Sequence, residues 1–250
     1  MPEKYYSLNP KIYDDQFWWK KDDVEFWKIL FSNKNKAILE LACGSGRLGI
    51  PLIKEGVKYT GLDISKQYCQ HAINKVKTYT DSKIIYNYDM RNFKLNNTFD
   101  NIFIGFNSWL HLFNEADVFN CLKSVKLHMN SKSKFYIDIF VPNPLFLYRP
   151  KDIALPILEY YDSKKKSMVY IDEILDYNRS NEIASITWLY KNKKKYFMEF
   201  NFQMKMYYPD TMFRLLTDNN FIIKNIWGNY QKEAFSEDSS QQIYECQIKV

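Results

Sequence analysis

No stretch of this chain stays apolar for anything near the ~20 residues that cross a bilayer, and its first residues, Met1-Pro-Glu-Lys-Tyr-Tyr6, lack the basic-then-apolar pattern of a secretory signal. No membrane partner is expected, and the reading is a soluble, cytoplasmic protein. Cysteine is scarce: Cys43, Cys69, Cys121 and Cys246 lie far apart, with no Cys-x-x-Cys pair and no histidines at ligand spacing. That argues against a zinc module and a disulfide framework and leaves reduced thiols, with no metal site expected. There is no internal repeat, no long basic arm and no added RNA-binding module.

What is present is a chain of 250 residues, 46% hydrophobic and 18% aromatic, long enough for one large domain or one domain carrying an inserted subdomain. Its 20 tyrosines, 18 phenylalanines and 6 tryptophans exceed what a core needs, so some of them are expected to line a pocket. The net charge is +6, and much of the excess sits in Lys164-Lys165-Lys166 and Lys193-Lys194-Lys195, each between strand-like runs. A nucleic-acid face would use such clusters, but solvated hairpin tips explain them better, and no nucleic-acid partner is expected.

Residues 5–31 mix aromatics with charge, and Tyr13, Phe17, Val24, Trp27 and Leu30 share a helical face, which predicts one or two helices packed outside the core. The run Ala37-Ile-Leu-Glu-Leu-Ala-Cys-Gly-Ser-Gly-Arg-Leu-Gly49 then reads as a buried strand, a glycine turn and a helix over 47–55. Further strands are predicted over 57–65, 83–89, 99–106 and 134–140, with a helix capped by Ser65 and another holding Phe119, Leu122 and Val125. This alternation means right-handed crossovers and a parallel sheet covered on both faces. Prolines 142, 144, 150 and 156 break the pattern, and strand-like runs without helices continue to Tyr208, which predicts an inserted antiparallel sheet. A helix over 209–217, begun by Pro209, and strands over 221–227 and 242–249 complete the chain.

Ligands of doubly wound sheets sit beyond the carboxyl ends of the strands. Gly44-x-Gly46-x-x-Gly49 matches the dinucleotide fingerprint, and Asp63 follows at the ~20-residue distance of a ribose-binding acid. Three features point elsewhere. Glu40, just before the turn, would repel a pyrophosphate but support a ligand carrying an ammonium or sulfonium. Asp89 with Met90 could meet an adenine amino group and ring, and Asn107 could reach the middle of a ligand lying across the strand ends.

On these residues the sequence resembles a class I S-adenosylmethionine-dependent methyltransferase of the small-molecule group, which includes glycine N-methyltransferase-like and aminosugar N-methyltransferase-like enzymes. Glu40-Leu-Ala-Cys-Gly-Ser-Gly46 resembles the first motif, Gly61-Leu-Asp63-Ile64-Ser65 the second, Asp89-Met90-Arg91-Asn-Phe93 the adenine-contacting segment, and residues 99–108 with Leu110-His111-Leu112 the fourth-strand motif. The resemblance covers roughly residues 37–140 by motif. It implies a Rossmann-like α/β fold: a doubly wound seven-stranded sheet with an antiparallel last strand, built from residues 1–141 and 209–250. Residues 142–208 would form the inserted antiparallel β subdomain covering the active site.

By the same resemblance Glu40, Gly44, Gly46, Asp63, Ile64, Asp89, Met90 and Asn107 would bind S-adenosyl-L-methionine, leaving S-adenosyl-L-homocysteine as product. Methyl transfer needs positioning and exclusion of water, and needs a base only for a protonated acceptor. His111, after the fourth strand, is the candidate base, or else a helix-face histidine that caps or packs. Tyr13, Trp109 and Tyr207 are candidate walls of the substrate pocket, or plain packing residues; His71 and His128 read as structural. The expected activity is methylation of an amine or hydroxyl of a small molecule or a peptide terminus, with a homodimer left open. The alternatives are an RNA or protein methyltransferase, a non-catalytic cofactor-binding accessory subunit and, more distantly, a nicotinamide-dependent reductase.

Overall fold

The computed structural model describes residues 8–81, 83–193 and 195–249. Lys194 of the second lysine cluster and the start of the aromatic stretch at Tyr5 lie outside these residues. In chain order the strands are β1 (Ala37–Leu41), β2 (Lys58–Asp63), β3 (Ile85–Asn87), β4 (Asn101–Ile104), β5 (Lys134–Phe140), β6 (Leu155–Asp162), β7 (Ser167–Asn178), β8 (Ile183–Lys191), β9 (Tyr196–Lys205), β10 (Phe221–Trp227) and β11 (Gln241–Ile248). The helices are α1 (Pro10–Gln16), α2 (Asp22–Leu30), α3 (Gly49–Lys54), α4 (Lys66–Val76), α5 (Glu115–Leu127), α6 (Pro144–Leu147) and α7 (Pro209–Asp218).

These elements form two compact units. The larger, Lys21–Val141 with Tyr208–Val250, holds a seven-stranded sheet in the order β10-β11-β5-β4-β1-β2-β3. Strands β1 to β5 pair in parallel, and β11 runs antiparallel between β5 and β10. Strands β1 and β4 are apolar runs buried on both faces, as a sheet covered on two sides requires. Local capping sets the helix starts: the Ser65 hydroxyl accepts from the Tyr68 N–H ahead of α4, and the Asn114 side chain from the Asp117 N–H ahead of α5.

The expected fold class therefore stands, with three adjustments. Helix α3 begins only at Gly49, because Ala42, Gly44 and Gly46 all take left-handed backbone and the chain is still turning where a helix from 47 was expected. Strand β4 ends at Ile104 because Phe106 and Asn107 are also left-handed, at φ of 49° and 65°. Helix α2 is no outer layer: Trp27 is completely buried, its ring centroid 4.6 Å from that of Phe103 on β4.

The smaller unit joins the described residues up to Lys20 with Pro142–Tyr207. Its sheet, β6-β7-β8-β9, is antiparallel throughout. Helix α1 belongs here and not with the larger sheet, a correction to the expected boundary. The reason is its inward face: Ile12 and Tyr13 pack against a cluster of Tyr160, Val169, Ile171 and Tyr190, and the Tyr190 hydroxyl donates to Oε1 of the buried Gln16 at 2.9 Å.

Candidate active site at the strand ends

The carboxyl ends of β1, β2, β3 and β4 lie side by side in the larger unit, since β1 pairs with β2 on one edge and β4 on the other. The chain leaves β1 through Ala42, Gly44 (φ +53°) and Gly46 (φ +79°), and the Gly46 N–H closes the turn onto the Cys43 carbonyl at 2.9 Å. Left-handed backbone is costly for side chains with a Cβ, so glycine is needed at 44 and 46 for conformation. Gly49 is needed for space, because a methyl group there would overlap the Tyr59 ring.

Asp63 ties this turn to the end of β2. It is only 3% exposed; its Oδ2 accepts from the Gly44 N–H and its Oδ1 from the Ser65 N–H, both at 2.8 Å. Burial pushes its pKa up to about 6, against the pull of those two N–H groups. Each carboxylate oxygen keeps a further lone-pair direction, the acceptor pair that two vicinal hydroxyls would need. Asn87, ending β3, donates from its amide to the carbonyls of Asp63 at 2.9 Å and Ile64 at 2.8 Å, fixing that backbone while the Ile64 side chain stays half-buried.

Glu40 is placed differently from expectation. It is 3% exposed and accepts a short hydrogen bond from the Tyr59 hydroxyl, so it lies beneath the turn and not open beside it. Burial pushes its pKa up to about 8, opposed by Tyr59 and Arg47 and reinforced by Asp63 and Asp23. Arg47 itself grips the buried Asp23 of α2 through both terminal nitrogens, at 3.0 and 2.5 Å, and its guanidinium carbon stands 4.0 Å over the Phe106 ring.

Asp89 is half-buried and bound by Arg91, whose Nη2 lies 2.6 Å from Oδ2 and whose backbone N–H donates to Oδ1 at 2.8 Å. Burial raises its pKa, but Arg91 outweighs that and holds the carboxyl below the usual carboxylate range. Met90 beside it is buried. Arg91 reaches on to Asp117 of α5 at 2.9 Å, so the segment carrying Asp89 is fastened to that helix.

Past β4, Asn107 spends its side-chain oxygen on the Phe140 N–H at 2.8 Å. It braces the turn, and its amide NH2 keeps its two donors. Asp138 of β5, 1% exposed, assists by accepting from the Phe106 N–H at 3.2 Å and the Tyr230 hydroxyl at 3.1 Å. His111 ends the short 3-10 turn Ser108–His111 and is half-buried. Trp109 is 0% exposed and Tyr207 2%, so both are buried, as the packing alternative to a pocket wall has them. Tyr13, on α1 of the smaller unit, packs with its ring centroid 4.8 Å from that of Phe17.

Glu40, Gly44, Gly46, Asp63, Asp89, Met90, Asn107 and His111 thus share the strand-end region of one unit. Sequence reasoning missed Tyr59, Arg47, Asp23 and Asp138. Asp138 had a visible signal, an acid inside the apolar run Phe135-Tyr-Ile-Asp-Ile139 like Glu40 in β1. A sheet whose last strand runs antiparallel between the fifth and sixth, with a glycine turn after the first, is the class I methyltransferase fold and not the all-parallel dinucleotide order.

The comparisons agree. Residues 38–132 match the family model described as a methyltransferase domain. The putative methyltransferase YqeM of Bacillus subtilis (strain 168) is 28% identical over 142 residues, 53% of this chain and 57% of that protein, so the match spans little more than half of that relative's length. An S-adenosylmethionine-dependent methyltransferase from Clostridium acetobutylicum ATCC 824 superposes with a TM-score of 0.76 at 18% identity, over 96% of this chain and 97% of its own. The sugar N-methyltransferase KedS8 from Streptoalloteichus sp ATCC 53650 gives 0.62 at 12% identity, over 97% and 88%. Over nearly its whole length the chain shares the fold of these solved methyltransferases, and within it residues 38–132 are similar to a methyltransferase domain.

Proposed function

We propose that this protein is an S-adenosylmethionine-dependent methyltransferase acting in the cytoplasm on an amine or hydroxyl of a small molecule or a short peptide. The observation that carries the reading is the buried Asp63 carboxylate tied to the left-handed Gly44, with Glu40 below the same turn. This acceptor set suits a nucleoside that carries positive charge and no pyrophosphate, because Glu40 lies in the field of two further acids, Asp63 and Asp23, and of one arginine, Arg47, that is already paired with Asp23. Bound there, S-adenosylmethionine would supply a methyl group on an electrophilic sulfonium centre.

The residues divide the remaining work. Asp63 accepts the ribose hydroxyls, Gly44 and Gly46 admit the methionyl portion, and Ile64 and Met90 offer apolar contact to the adenine. Asp89, anionic at neutral pH because of Arg91, accepts from the adenine amino group. His111, after β4, takes a proton from the acceptor when that acceptor arrives protonated. A small-molecule acceptor is supported by the likeness to a sugar N-methyltransferase.

Calorimetry tests the cofactor half: S-adenosylmethionine should bind and NADH should not, and Asp63→Ala should weaken binding at least tenfold. Indifference to that change would sink the site assignment. The acceptor half is tested by incubating the protein and methyl-labelled cofactor with extract separated into RNA, protein and metabolite fractions. Label in the metabolite fraction supports the proposal; label confined to RNA would overturn the acceptor class.

A further inference from the structure

We infer that Tyr59 is a positioning residue: its hydroxyl holds the Glu40 carboxyl beneath the glycine turn and thereby sets how tightly the turn takes a cation-bearing cofactor. The inference rests on the cofactor reading above and adds to it a residue that is not itself among the proposed cofactor contacts but bonds to one of them.

The geometry is specific to this side chain. Tyr59 is 4% exposed, on β2, and its hydroxyl donates to Glu40 Oε2 on the neighbouring β1. The two flanking glycines are shaped around its ring. A methyl group at Gly49 would overlap the ring, and one at Gly61 would stand 2.7 Å from the hydroxyl and 2.9 Å from the Cys43 sulfur. The first residue of α3 and the middle of β2 are therefore both stripped of side chain where Tyr59 passes. A leucine or phenylalanine would fill such a space without any polar partner, so the retained hydroxyl points to the carboxyl.

The charges explain why that carboxyl needs holding. Glu40 is faced by Tyr59 from β2, by Cys43 and Arg47 from the turn, by Asp63 from the end of β2 and by Asp23 from α2, and across the sheet its neighbour on β4 is the apolar Phe103. Arg47 is already paired with Asp23. Burial and the two aspartates disfavour ionised Glu40, whereas the Tyr59 bond and Arg47 favour it. Removing the hydroxyl leaves Glu40 both less oriented and harder to ionise, so attraction for a cation should fade and return only at higher pH.

The test is S-adenosylmethionine calorimetry on the full chain between pH 6 and pH 9 with wild type, Tyr59→Phe, Glu40→Gln and the double variant. Tyr59→Phe keeps the ring. It should weaken binding about tenfold at pH 8.5, where the wild-type Glu40 is largely ionised, as expected for loss of a hydrogen bond to a charged group, and move the binding profile to higher pH. Glu40→Gln should weaken binding similarly and flatten the profile, and the double variant should bind no worse than Glu40→Gln. Wild-type behaviour of Tyr59→Phe at every pH, or additive losses in the double variant, would overturn the inference and leave the cofactor reading intact. No binding by the wild type would overturn both. Should Tyr59→Phe fold poorly, Glu40→Asp decides: it keeps the charge but draws it one methylene away from the hydroxyl. Binding as weak as Glu40→Gln supports positioning, and wild-type binding by Glu40→Asp refutes it.

Discussion

Glu40 and Asp63 are acids held in native burial above their ordinary ionisation range, at about 8 and about 6. A carboxyl whose folded pKa is raised contributes stability that is fully present below its unfolded value and lost as pH rises through the folded one. The Asp63 contribution is therefore gone by neutral pH, while that of Glu40 declines from about pH 4.5 up to about pH 8. Between pH 6 and pH 8.5 the wild type should lose on the order of 2 kcal/mol, and Glu40→Gln should be nearly flat across that interval. Urea unfolding at pH 6 and pH 8.5 checks this; parallel losses in both proteins would show that Glu40 is not the titrating group. Asp63 and the glycines were legible because their meaning lies in short spacing after an apolar run. Arg47 with Asp23, 24 residues apart, and Tyr230 with Asp138, 92 apart, were not, because only the folded sheet brings such partners together. Trp109 and Tyr207 stay open between two readings in the sequence for a related reason: an aromatic near a strand end reads the same whether it lines a pocket or fills a core.

The stretch between β3 and β4 is the element that carries Asp89 and Met90, and it has little regular structure beyond the single bridge of Asp89 to Asn92. Helix α5 and its cap hold it instead. Arg91 pairs with Asp117, the Ser124 hydroxyl donates to the Arg91 carbonyl at 3.1 Å, and His128 Nε2 accepts from the Leu95 N–H at 2.8 Å. With Nδ1 2.7 Å from the Ser124 carbonyl, His128 must carry its proton on Nδ1, and its ring stacks on Phe93 at 4.6 Å. His128→Ala would strand a backbone donor and remove that stacking, so it should cost about 1–3 kcal/mol. Because the segment holds Asp89, S-adenosylmethionine binding should weaken with it. Chemical unfolding read beside calorimetry measures both; loss of stability with unchanged affinity would free Asp89 from dependence on this clip. The sequence reads His128 as structural, and its burial agrees. Alternation and cap residues made the elements visible, whereas strands β3 and β4 proved shorter than expected because side-chain ties and left-handed residues, neither periodic in sequence, end them.

Among the described residues each of the two units has buried apolar packing of its own. Ile38, Trp27 and Phe103 belong to the core of the larger unit, and Val169, Ile171 and Tyr190 to that of the smaller. The composition break at Pro142 showed where the second begins, but nothing local revealed that α1 belongs with a sheet whose first strand starts at Leu155. All the residues assigned to the cofactor, from Glu40 to Asn107, are in the larger unit, and this separates two effects that a core substitution usually confounds. Ile171→Ala and Leu39→Ala each empty a fully buried aliphatic position and should each cost about 2–5 kcal/mol. Leu39 lies in β1, which leads into the glycine turn, so its loss should also weaken S-adenosylmethionine binding at least fivefold at 15 °C. Ile171→Ala should lower the melting temperature yet bind within twofold of wild type at that temperature, since no assigned cofactor contact belongs to its sheet. Calorimetry on both variants, with circular dichroism confirming that each is folded at 15 °C, decides the matter. Equal loss of binding would mean that the smaller unit contributes to the cofactor site, and the assignment of that site to residues 40–107 alone would have to be abandoned.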